Sequence, residues 1–199
     1  MRSFFPLFQS HLDLSHAYWS QSIQPGDTVI DATCGNGYDT LQLCQLVLTA
    51  DKGKVYAFDN QYLAISSTQN YLKAHLPLEL QQRVEFHHQC HSIFPYAITP
   101  QSIKLIVYNL GYLPGSNKEQ TTQTATTLQS LSHAEKLLQP GGMISITCYP
   151  GHPEGAREQE ALLAYASRLS PKEWSCCHHI WVNRQQAPTL ILIQKFIHQ

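Results

Sequence analysis

Asp27-Thr-Val-Ile-Asp-Ala-Thr-Cys-Gly-Asn-Gly-Tyr-Asp-Thr40 is the stretch that decides the fold. Pro25-Gly26 turns the chain into it, and Val29 and Ile30 form a short apolar run of high strand propensity. Asp31 ends that run, and Gly35-Asn36-Gly37 follows. Leu41, Cys44, Leu46 and Leu48 then recur at spacings that suit a helix. The reading is a strand over about 27–33, a glycine turn, and a helix over about 38–49. Such a turn lets backbone approach a ligand closely, and the helix start offers free N–H groups.

Two glycines do not by themselves name the ligand. A dinucleotide motif wants a third glycine or alanine for close helix packing, and Thr40 stands there. Lys54-Val-Tyr-Ala-Phe-Asp59 reads as a second strand. It ends on a carboxylate about 20 residues beyond the glycines, where a ribose diol is held. A ribose with no pyrophosphate to cradle points to S-adenosylmethionine. NAD is the rival ligand, and a turn-forming Asp at a strand end is the bland alternative.

The rest of the chain extends this pattern. Ser10 to Ile23 suits a helix with Leu12, Ala17 and Trp19 as core contacts. His16 and Trp19, three apart, share a face of it, placed either to cover the cofactor mouth or simply to dock the helix. Gln61–His75 suits a helix with Leu63, Ile65, Tyr71 and Leu72 apolar, stopped by Pro77. Val84–Gln89 is a third strand, and Ile103–Asn109, nearly all apolar, is a central parallel one. Gly111–Thr122 is a loop, and Gln123–Leu138 a helix. Pro140-Gly141-Gly142 turns into a strand over Met143–Tyr149, and Pro150–Gly155 leads to a helix over about Ala156–Leu169. Trp174–Asn183 and Thr189–Phe196 close the chain as an antiparallel hairpin.

Five β-α steps and a terminal hairpin fit one Rossmann-like α/β domain over residues 1–199. The expected sheet is seven-stranded and mostly parallel, in the order three-two-one-four-five-seven-six with strand seven antiparallel. NAD-binding folds more often continue with parallel units; the hairpin is what class I methyltransferases add.

Composition narrows the function. Only 14% of residues are charged and the net charge is −1, which argues against a broad basic surface for non-specific nucleic-acid binding. A local patch, or RNA recognition by stacking and shape, stays compatible with it. The start Met1-Arg-Ser-Phe-Phe-Pro-Leu-Phe is too short and interrupted for a signal peptide, and no apolar run reaches spanning length. With six cysteines, this suggests a cytoplasmic protein with reduced thiols and no membrane partner.

His87-His-Gln-Cys-His91 and Cys176-Cys-His-His179 invite a zinc reading. Neither has finger or ribbon spacing, and the expected strand order puts them at opposite ends of the sheet, so no metal is expected. Cys90 and His91 lie where strand three ends, the usual neighbourhood of an adenine. Asn109-Leu-Gly-Tyr112 follows strand four, where amine methyltransferases carry Asn/Asp-Pro-Pro-Tyr. An Asn carbonyl accepts from a substrate amine and an aromatic ring stacks on a base, although Leu110 and Gly111 replace the prolines. The alternative is a strand end plus a turn. Tyr149 and His152, after strand five, are titratable groups close to the inferred site. His152 stands as a proton acceptor or RNA contact, or as a solvated loop histidine.

Asp31-Ala-Thr-Cys-Gly-Asn-Gly-Tyr-Asp-Thr40, His88-Gln-Cys-His91, Tyr108-Asn-Leu-Gly-Tyr-Leu-Pro-Gly115 and Cys148-Tyr-Pro-Gly-His-Pro-Glu-Gly155 together resemble the MnmM (YtqB-like) methyltransferases. The resemblance spans nearly the whole chain. It implies a class I fold and methylation of the aminomethyl group on the wobble uridine of certain tRNAs, with the anticodon region as partner and room for a homodimer. It implies S-adenosylmethionine as cofactor, with Asp31, Thr33, Asn36, Gly37, Asp39 and Thr40 around its methionine end. Asp59 would take the ribose with Gln61 close by, Cys90 and His91 would neighbour the adenine, and Asn109 would touch the cofactor as well as the target. Asn109, Tyr112, Tyr149 and His152 would face the target. Another RNA, a small-molecule amine, or cofactor binding without catalysis are the competing readings.

Overall fold

The computed structural model describes residues 10–111 and 123–197. The predicted loop containing Tyr112 lies outside them. Seven strands form one sheet in the order β3-β2-β1-β4-β5-β7-β6. They are β1 (Thr28–Asp31), β2 (Lys54–Asp59), β3 (Val84–His88), β4 (Ile103–Asn109), β5 (Leu138–Cys148), β6 (Trp174–His179) and β7 (Thr189–Lys195). Neighbours from β3 to β5 pair in parallel, and β7 runs antiparallel to both β5 and β6. The expected sheet is therefore the observed one. The helices are α1 (His11–Ser22), α2 (Tyr38–Val47), α3 (Tyr62–His75), α4 (Leu78–Gln81), α5 (Thr124–Leu137) and α6 (Pro153–Ala166).

Alternation along each strand builds two cores. Ile30, Phe58, Ile106, Tyr108 and Ile146 face α5 and α6, while Val29, Val55, Leu105 and Val107 face α1, α2 and α3. Parallel strands covered on both faces read as continuous apolar runs, which is why β4 is buried almost throughout. The His87 and Cys176 clusters sit on strands at opposite edges of the sheet. Among the described residues no group of three or more His, Cys, Asp or Glu is placed to hold a metal ion, and no helix is long and apolar enough to cross a membrane.

Several boundaries move for identifiable reasons. Pro140-Gly141-Gly142 is not a turn ahead of a strand: β5 begins at Leu138 beside Ile103, and the register then shifts so that Leu105 pairs with Met143. Gly141, at φ +72°, takes the left-handed conformation inside this irregularity. Helix α6 starts at Pro153 rather than Ala156, because His152 caps it and proline at the first helical position costs no hydrogen bond. The hairpin connection is longer than expected, since β6 ends at His179. On α1, Ala17 faces solvent while Leu14 and Tyr18 pack inward; on α3, Leu63 is exposed and Ala64 and Thr68 are buried.

Helix α1 is fastened at both ends. Ser10 caps it, its hydroxyl accepting from the Asp13 N–H while the Asp13 carboxylate accepts from the Ser10 N–H. Near its C-terminal end, the buried Trp19 indole N–H donates to Ser145 Oγ on β5 at 2.9 Å. Trp19→Phe strands that hydroxyl in an apolar interior and should cost about 2 kcal/mol of stability. Chemical denaturation checks this, and an unchanged midpoint would mean that the bond contributes nothing net.

Candidate active site

The site forms at the carboxyl ends of β1, β2 and β4, where open α/β sheets bind ligands. Gly37, at φ +86°, caps α2; a β-carbon there would also crowd Thr68 on α3 to about 3 Å. The turn brings three carboxylates close together. Asp31 is fully buried at the end of β1, accepting from the Thr40 hydroxyl at 2.6 Å and the Thr33 N–H at 3.2 Å. Burial, reinforced by the charge of Asp39, pushes its carboxyl up to about 7. Asp59 accepts from the Gly35 N–H at 3.1 Å and the Gln61 N–H at 2.9 Å, one at each oxygen. Burial also raises its carboxyl above the usual range.

Asp39, in the first turn of α2, links the glycine turn to β4. Its Oδ1 meets His16 Nε2 at 2.8 Å and its Oδ2 accepts from Asn109 Nδ2 at 3.1 Å. Asn109 is anchored through its backbone as well, its N–H donating to Thr33 Oγ1 at 2.7 Å. Tyr149 lies beside the Asn109 side chain, and burial pushes its phenol up to about 12, so it stays protonated. His11 Nε2 lies 3.2 Å from the Tyr149 hydroxyl. Burial lowers the His11 imidazole, outweighing the pull of Asp39.

The other residues expected at the site occupy distinct places. Asn36 Oδ1 accepts from the Ser67 hydroxyl at 3.3 Å, tying the glycine turn to α3. Thr40 is fully buried with its hydroxyl committed to Asp31, so it acts on a ligand only through that carboxylate. Cys90 is half-buried. His91 is buried edge-on to Tyr108, and desolvation brings its imidazole down to about 4, a neutral ring. His152 Nδ1 accepts from the Gly155 N–H at 3.1 Å. That bond ties the ring to the start of α6.

Sequence reading missed His11 and left His16 open between covering the cofactor mouth and docking the helix. They belong to α1, outside every local motif, and only the docking of Trp19 on β5 carries them to Asp39 and Tyr149. Beside His11 a cavity of about 740 Å³ opens between α1 and the connection from His179 to Pro188.

This sheet order, glycine turn and paired carboxylates at the ends of β1 and β2 define a class I S-adenosylmethionine-dependent methyltransferase. Comparison with known proteins narrows the class. A family model described as "Putative rRNA methylase" matches residues 55–195. A curated relative, the chloroplastic tRNA (mnm(5)s(2)U34)-methyltransferase of Arabidopsis thaliana, is 42% identical over 188 residues, covering 92% of this chain and 68% of its own. The chain belongs to this family, the MnmM-like methyltransferases that its motifs resemble. A solved structure from Clostridium thermocellum, described as a "putative rRNA-methylase", is 35% identical with a TM-score of 0.88, covering 95% of this chain and 99% of its own. A Streptococcus mutans "putative methyltransferase", solved in complex with SAH, is 30% identical with a TM-score of 0.82 over 95% of this chain and 99% of its own.

Proposed function

We propose that this methyltransferase acts on the aminomethyl nitrogen of the modified wobble uridine of tRNA, approached through the anticodon region in the cytoplasm. The observation that carries the reading is the fixed side chain of Asn109. Its amide N–H is committed to the Asp39 carboxylate, which turns the carbonyl oxygen away from Asp39, beside the Tyr149 hydroxyl that also hydrogen-bonds this side chain, where it can accept from an amine. The 42% identity to a protein named for tRNA methylation supports the substrate. So does Arg184 lying over the Trp181 ring at 4.4 Å beside the cavity, a pairing of aromatic ring and cation of the kind that stacks on RNA bases.

The residues also fit the cofactor. Asp59 keeps a lone pair on each oxygen for the ribose hydroxyls, and Gln61 follows it. Asp31, buried and raised by Asp39, would be returned to its charged form by the ammonium of a methionine moiety. Thr33, Asn36, Gly37 and Thr40 shape that end of the pocket, and Cys90 and the neutral ring of His91 suit an adenine. S-adenosylmethionine supplies a methyl group already activated on a sulfonium. The chain's own work is then to bind, orient and exclude water. Asn109 holds the amine by its N–H, with Tyr149 beside it. The amine must be unprotonated; an alkylammonium titrates near 10.4 in water, and desolvation in the pocket lowers that value.

Nucleoside analysis of tRNA and rRNA from a deletion strain tests the reading. The expected result is accumulation of the unmethylated aminomethyl uridine in tRNA. An intact tRNA profile with a methyl group missing from rRNA would transfer the assignment to the substrate in the family's description.

The cofactor half has its own test. Asp59→Ala should weaken S-adenosylhomocysteine binding by about 1.5–3 kcal/mol, the scale of a hydrogen bond to a charged group. Unchanged affinity in calorimetry would remove Asp59 from the ribose site.

A further inference from the structure

We propose that His16 is a positioning residue for the target nitrogen: through Asp39 it fixes which end of the Asn109 side-chain amide faces the substrate. The inference rests on the amine reading above and adds to it a residue that no motif marks.

The two ends of an asparagine amide are nearly the same size, so packing alone holds its orientation weakly. A carboxylate only accepts hydrogen bonds, so the Asn109 end that meets Asp39 Oδ2 at 3.1 Å must be the NH₂. The carbonyl is thereby turned away from Asp39. The selection works only if Asp39 itself cannot swing. Its second oxygen is held by His16 Nε2 at 2.8 Å, and the two bonds come from different elements, α1 and β4. The Asp39 side chain is 14% exposed, so water competes poorly for it.

His16 is restrained in turn. Its ring lies against Trp19 with centroids 4.6 Å apart, and Trp19 is bonded to Ser145 on β5. A continuous path therefore runs from β5 through α1 and Asp39 to Asn109, whose backbone N–H is bonded to Thr33. Asp31, His11 and Tyr149 also bear electrostatically on Asp39. Where a bound ammonium returns Asp31 to its charged form, Asp31 repels Asp39, so loss of the His16 donor favours a movement of the Asp39 carboxylate away from its present place.

The test uses the full chain bound to S-adenosylhomocysteine. His16→Leu keeps apolar bulk against Trp19 and removes the donor; His16→Gln keeps a donor. Side-chain amide NMR reads the hydrogen exchange of Asn109 Nδ2 without any RNA, and steady-state methylation reads turnover. His16→Leu should speed that exchange and lower kcat, each by about tenfold or more, with the KM for S-adenosylmethionine within about twofold. His16→Gln should restore both to within about threefold of the parent protein. Asp39→Asn weakens the acceptor itself and should speed the Asn109 exchange at least as much, which keeps the test open if His16→Leu fails to fold. Unchanged Asn109 exchange in folded His16→Leu overturns the proposal whatever the substrate, as does an unchanged kcat. A loss that His16→Gln fails to rescue also overturns it, by making His16 a packing residue. Exchange behaving as expected while the parent protein leaves aminomethyl tRNA unmethylated supports the positioning path and removes the substrate reading alone.

Discussion

Asn109→Ala lowers kcat/KM for tRNA bearing the unmethylated aminomethyl uridine by on the order of a hundredfold, or about 2.7 kcal/mol of transition-state stabilisation. Two losses combine. The amine loses the acceptor that holds it, and Asp39 loses the Nδ2 donor at 3.1 Å. His16 then remains on the other carboxylate oxygen. Cofactor affinity should stay within about threefold, because the cofactor carboxylates Asp31 and Asp59 keep their own partners. Asn109→Asp should be at least as damaging, since it sets a like charge against Asp39. Steady-state methylation paired with calorimetry for S-adenosylhomocysteine makes the measurement. Near-parental turnover of Asn109→Ala would end its role at the target. A loss traced wholly to cofactor binding would move it to the other side of the pocket.

Asp31→Asn changes the pH dependence of stability by about 4 kcal/mol, at about 1.4 kcal/mol per pH unit. The Asp31 carboxyl is raised to about 7 in the folded protein, above its ordinary value of 3.8 in the unfolded chain. Between those values the folded state holds a proton that the unfolded state has released. Asp31 therefore contributes its full stabilisation below about pH 4 and loses it as pH rises through about 7. The amide of the variant does not titrate, so relative to it the parent protein falls in stability across that window. Denaturation of both proteins without cofactor, at about pH 5 and about pH 8, should show the gap moving in favour of Asp31→Asn. S-adenosylhomocysteine should reverse the advantage at high pH, because its ammonium favours the charged carboxylate of the parent protein. Parallel pH profiles for the two proteins would show that Asp31 is not held neutral by burial.

These two residues differ in how far they can be read from the chain itself. Asp31 ends an apolar run immediately before a glycine turn, so its place at a strand end follows from local pattern. Its full burial and its bond to Thr40 do not, because both need α2 to fold back over β1. Asn109 ends a run of seven residues, Ile103–Asn109, and its position at the mouth of the sheet follows from β4 being central. Its amide orientation depends on Asp39, 70 residues earlier. The loop after Asn109 and Gly111, with Tyr112, lies outside the described residues, so its part in holding the base stays an expectation.

Apolar run length, the glycine turn and the closing hairpin determined the strand order and the class of the fold, because each is a local pattern that constrains the backbone directly. Helix faces were less legible. Leu63 reads as a core position by hydropathy yet is exposed, while Thr68 is buried because its hydroxyl has a carbonyl partner at Gly35. His152 reads as a loop residue until its ring caps α6. His16 reads equally as a cover of the cofactor mouth or a helix-docking residue until Trp19 docks and brings it to Asp39. Local chemistry marks where a carboxylate or a glycine stands, but the partner of a side chain is set by elements that meet only in three dimensions. The sequence by itself therefore determined the sheet and the place of Asp31, Asp59 and Asn109 at its strand ends, and the tertiary structure alone decided which side chains are joined by hydrogen bonds there.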